Sequence, residues 1–136
     1  MRMLENRLFK GLLLMAVLFI SVAVNGADQK QWVSEKGQFF VSYQSELDPI
    51  VINQIHEWTL FITDAHGVPV SDAQVSVEGG MPAHNHGLPT APVIKPGERG
   101  QYMLQGLRFH MMGYWELELN IETEGASDNV VITLDL

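Results

Sequence analysis

A chain of 136 residues has room for one domain, and without a single cysteine that domain must hold together by its own packing. Sixteen acidic against eight basic residues give a formal charge of -8. With no basic patch in the chain, this acidity argues against nucleic acid and anionic lipid as partners.

The first element is an export segment. Arg2, Arg7 and Lys10 precede an apolar run from Gly11 to Val24, a positive region followed by a hydrophobic one of secretory length. The run is short of the ~20 apolar residues of a spanning helix. Val24-Asn25-Gly26 before Ala27 is a usable cleavage site. Residues 1–26 are therefore expected to be a signal peptide, with an uncleaved anchor in the inner membrane as the alternative. Residues 27–136 are expected to form one periplasmic or exported domain. Loss of the segment leaves five basic and fifteen acidic residues, a charge of −10.

Past residue 36 apolar and polar residues alternate, the period of a strand. Residues 38–44 place Phe39, Val41 and Tyr43 on one face, and residues 56–63 place Trp58, Leu60 and Ile62. His56 shares that second face, where a hydrogen-bonded core histidine is expected. Residues 64–77 resemble the strand–turn–strand of bacterial immunoglobulin-like and prealbumin-like modules, with His66 a solvated turn residue. Further strands are expected over 73–78, 101–107, 114–123 and 129–136. In 114–123, Trp115, Leu117, Leu119 and Ile121 face in while Glu116, Glu118 and Glu122 face out. No later stretch carries a helical stripe. Short strands separated by Gly, Pro and Asp predict an all-β fold, an antiparallel immunoglobulin-like β-sandwich.

Between two of these strands lies a long connection, residues 79–100, rich in Pro and Gly. Such a length is usually functional or flexible, and its prolines restrict it. It carries Met81-Pro82-Ala83-His84-Asn85-His86-Gly87. In an extended segment His84 and His86 project to the same side. Gly79 and Gly80 are expected to permit a sharp exit from the preceding strand. A second cluster, His110-Met111-Met112, follows. Strand alternation there puts Leu107, Phe109 and Met111 on one face, leaving His110 and Met112 for a common site. Imidazole plus thioether without thiolate suits copper, Cu(I) above all, and suits zinc less well. One site requires that the loop and the second cluster meet.

The order Met81-Pro82-Ala83-His84, then Gly100-Gln101-Tyr102, then Phe109-His110-Met111-Met112-Gly113-Tyr114-Trp115 resembles the YtkA-like domains, related to the FixH group, over about residues 53–123. The resemblance implies an exported or membrane-anchored β-sandwich linked with copper delivery and haem–copper oxidase assembly. Carried over residue by residue, it marks Met81, His84, His86, His110 and Met111; Met112 stays a candidate from alternation alone. The expected function is a periplasmic copper-binding protein that holds the metal or passes it to an acceptor protein. The alternative is a structural or interaction module of the cell envelope. No Ser/His/Asp set, paired carboxylates or phosphate loop points to an enzyme.

Overall fold

The computed structural model describes residues 29–136. The export segment expected at the N-terminus lies outside them. Among the described residues nine strands build two antiparallel sheets. They are β1 (Trp32–Val33), β2 (Phe39–Ser45), β3 (His56–Asp64), β4 (Gln74–Met81), β5 (His86–Gly87), β6 (Val93–Pro96), β7 (Gln101–Leu107), β8 (Tyr114–Glu122) and β9 (Ser127–Asp135). One sheet runs β1-β2-β3-β7-β6 and the other β5-β4-β8-β9. The described residues contain no α-helix. The fold is the expected all-β sandwich.

Alternation makes the core. Phe39 and Val41 of β2, Trp58, Leu60 and Ile62 of β3, and Tyr102 and Leu104 of β7 are buried from one side. Trp115, Leu117, Leu119 and Ile121 of β8 and Val130, Ile132 and Leu134 of β9 meet them from the other. A register shift between Leu104 and Leu107, opposite Trp58 and His56, turns Leu107 inward after Leu104, as a bulge does. His56 is buried beside Trp58 and Phe109. Its Nδ1 meets the Gln54 carbonyl at 3.1 Å, and its Nε2 has no partner; the expected core histidine is only half satisfied.

Three local expectations are corrected. Residues 79–100 are not one open loop, because β5 and β6 lie inside them and β6 pairs with β7. Gly79 and Gly80 do not end a strand; they continue β4 to Met81. A side chain at Gly80 would collide with the His86 carbonyl oxygen, so glycine is what lets β5 lie against β4 there. Finally, β7 stops at Leu107, so alternation does not carry through residues 108–112. Phe109 is buried, but Met111 is 37% exposed rather than a core residue.

Candidate metal centre

Both histidine clusters lie at one end of the sandwich. β4 runs to that end and pairs its last residue, Met81, directly opposite His86 of β5. Opposed residues of an antiparallel pair project from the same face, so Met81 and His86 both point inward. Between them Pro82–His84 form a 3₁₀ turn closed by Asn85 in the left-handed conformation, φ 52°. That turn, not an extended segment, brings the His84 and His86 rings together, 5.8 Å apart and nearly parallel at 27°.

His110 reaches the same place from the connection between β7 and β8. Its ring centre lies 4.9 Å from that of His86. Trp115, fully buried, forms the floor, 5.8 Å from His86 and 5.5 Å from His110, edge-on to both. The indole N–H donates to the Met111 carbonyl at 3.0 Å and pins the 108–113 turn that carries His110. Reciprocal backbone bonds between Gly113 and Leu136 hold the turn's far side. Trp115 reads in the sequence as core alone; its second role shows only once both histidines are placed against it.

The methionines divide. Met81 is buried beneath the cluster, and a Cβ at Gly113 would come within 3.0 Å of its Cε. Met111 and Met112 lie exposed on the turn, Met112 by 69%.

The hydrogen bonding of the rings decides what they can bind. His86 Nδ1 sits 3.1 Å from the Gly87 carbonyl. A carbonyl only accepts, so the bond requires the proton on Nδ1, and in the neutral ring that leaves the lone pair on Nε2. That Nε2 is shielded from solvent and has no partner, and the same holds for His110 Nδ1. Buried polar atoms are ordinarily paired; six other side-chain atoms among the described residues, His56 Nε2 and Trp58 Nε1 among them, are also without a partner, and what sets these two nitrogens apart is that both belong to imidazoles whose rings adjoin, as two ligands of one cation would. Two imidazoles on one tetrahedral ion, at a metal–nitrogen distance of ~2 Å, hold their ring centres roughly 5 Å apart, close to the 4.9 Å found here. Among the described residues, however, no three side chains of His, Cys, Asp and Glu are gathered as one metal-holding group. As placed, the site is a histidine pair with His84 at its rim.

His86 also lines a shallow cleft of about 430 Å³ with Glu78, Glu116 and Glu118. The Tyr114 hydroxyl donates to Glu116 at 2.9 Å, and that bond holds its phenol above the usual pKa.

Fold and site define a β-sandwich with a histidine pair at one end. A family comparison matches the YtkA-like family over residues 34–120, well over half of the chain, and the chain belongs to that family. The match begins at residue 34, before β2, well upstream of the motif-bearing stretch. No curated protein and no solved structure matches the chain.

Proposed function

We propose that this protein is exported and binds one copper ion, as Cu(I), at the His86–His110 pair, holding it for transfer to an acceptor protein. The orphaned, solvent-shielded nitrogens of the two facing rings carry this reading. His86 Nε2 and His110 Nδ1 would be the inner donors, with His84 at the rim. Met81 lies beneath, and Met111 and Met112, both exposed, would meet an acceptor's ligands. Soft thioethers and imidazoles favour Cu(I) over zinc and avoid a thiolate that an oxidising compartment would consume. The role is binding rather than catalysis.

A second reading, an envelope interaction module without metal, draws on the lack of a third preassembled ligand among the described residues. Metal analysis of the purified protein, with Cu(I) and Zn(II) competed against chromophoric chelators, separates the two. Retention of one Cu(I), with zinc held more weakly, supports the copper reading; retention of neither favours the module.

A further inference from the structure

We infer that the free edge of β9 is a docking site for an extended segment of a partner protein. That segment alternates basic with large apolar side chains and adds to the sheet as a further strand. The inference does not rest on metal binding.

β9 ends its sheet, and its nine residues make it the longest edge strand among those described. The ladder fixes which of its backbone groups are free. Gly113 and Leu136 exchange both N–H to carbonyl bonds, and β8 pairs with β9 without a register shift. Bonded and non-bonded pairs alternate in an antiparallel ladder. Leu134, Ile132 and Val130 therefore bond to β8, while Asp135, Thr133, Val131 and Asn129 turn their N–H and C=O groups outward. Asn129 is satisfied: its carbonyl accepts from Glu35 N–H at 2.9 Å, and its N–H donates to Asp128. Val131, Thr133 and Asp135 have no backbone partner on that side among the described residues. Open edges are commonly blunted by Lys, Pro or a bulge. β6, an edge of the other sheet, carries Lys95 and Pro96; β9 has none of the three devices.

An added strand would meet different chemistry on its two sides. Between the end of β9 and strands β1 and β2 lies a cleft of about 550 Å³. Its apolar lining is Trp32, Tyr43, Leu47, Ile50 and Leu134, with the Trp32 and Tyr43 rings stacked 5.4 Å apart. A large apolar side chain opposite Leu134 would enter it. Asp48 and Asp135 also line the cleft, against one cation, Lys30, whose Nζ lies 4.8 Å over the Trp32 ring. On the outer side, Glu118 and Glu116 of β8 lie directly opposite Val131 and Thr133. The outer face of this sheet carries Glu78, Glu116, Glu118, Glu122 and Asp135, and its strands contain no Lys or Arg. Lys or Arg at the outward positions of an added strand would pair with that face. A second copy of this chain would instead set two acidic faces edge to edge, which opposes a β9–β9 dimer. Strand addition takes its affinity from the backbone bonds and its specificity from alternate side chains.

The probe is an acetylated, amidated peptide alternating Lys with Phe and Ile, titrated into the purified protein and followed by NMR and amide hydrogen exchange. In the free protein the Val131, Thr133 and Asp135 amides should exchange fast. With the peptide they should become protected, and Trp32 and Tyr43 should shift. Glu in place of Lys should abolish binding. N-methylation of the peptide's bonded amides, or Thr133→Pro, should weaken it by roughly tenfold or more through lost backbone bonds. The Thr133 N–H points away from β8, so proline there spares the ladder. Thr133→Lys keeps the backbone and repels a basic strand; with the N-methylated peptide it decides the matter even if Thr133→Pro unfolds. The inference is overturned if the Lys peptide does not bind or binds equally well after these changes. It is also overturned if the three amides are already protected in the free protein, because the edge is then covered by this chain or by a second copy.

Discussion

His86 and His110 meet ring to ring, 4.9 Å apart, although one sits on an edge strand and the other on a turn two dozen residues on. Trp115 underlies both rings, and its indole fixes the turn that carries His110. The candidate site is thus a product of the sandwich end and not of either motif alone.

Replacing Trp115 separates its two roles. Trp115→Ala removes a fully buried ring and should cost ~3–5 kcal/mol. Trp115→Phe keeps most of the packing but loses the bond to the Met111 carbonyl, a loss of ~0.5–1.5 kcal/mol. Urea unfolding followed by circular dichroism measures both. A Trp115→Ala change under about 1 kcal/mol would contradict the burial described.

Gly80 should resist substitution more than an ordinary strand glycine. A Cβ there meets the His86 carbonyl oxygen, so Gly80→Ala should push β5 off β4 and displace His86. Heteronuclear NMR should show the largest shifts at residues 84–88, with β9 unmoved. Gly125, whose Cβ would meet nothing, is the control.

Much of this was legible in the sequence, for a physical reason. β3, β8 and β9 alternate cleanly, and Trp58, Leu60, Ile62, Trp115, Leu117 and Leu119 all lie inside as their period requires. β1, β5 and β6 escaped because two to four residues are too few to show a period. Residues 108–112 depart from the expected alternation for a different reason: the backbone leaves the sheet at Leu107. The candidate histidines stood out by type and spacing. The meeting of His86 with His110 did not, because it depends on strand order, and so did the buried place of Met81.

Asp128 should govern part of the acid sensitivity. Burial pushes its carboxyl up, but hydrogen bonds from Ser34 and from the backbone of Asn129, Lys36 and Gln38 outweigh that and hold it below the usual Asp range. A depressed carboxylate stabilises the fold above its unfolded pKa, ~3.9, and that stability is lost as pH falls through the lower folded value. Asp128→Asn should therefore be less stable than the parent at neutral pH, with the difference shrinking below about pH 4. Thermal melts across pH 2–7 test this; a constant difference would contradict it.

The N-terminus of the exported protein should lie near Ala27, because the apolar run is short for a span. Mass spectrometry of protein recovered from the periplasm reads it directly. A full-length species retained in the membrane would favour the uncleaved anchor instead.

The central claim is that His86 and His110 share one ion. Its most direct test is the Cu(I) affinity of the parent beside His86→Ala, His110→Ala and His66→Ala, with circular dichroism confirming that each is folded. His66 lies exposed in the β3–β4 turn, at the other end of the sandwich. The account predicts one Cu(I) per chain. It also predicts losses of roughly 100-fold or more for each of the first two variants, beyond the ~10–100-fold typical of losing an outer-shell partner, and no change for His66→Ala. Unchanged Cu(I) affinity in folded His86→Ala or His110→Ala would contradict it.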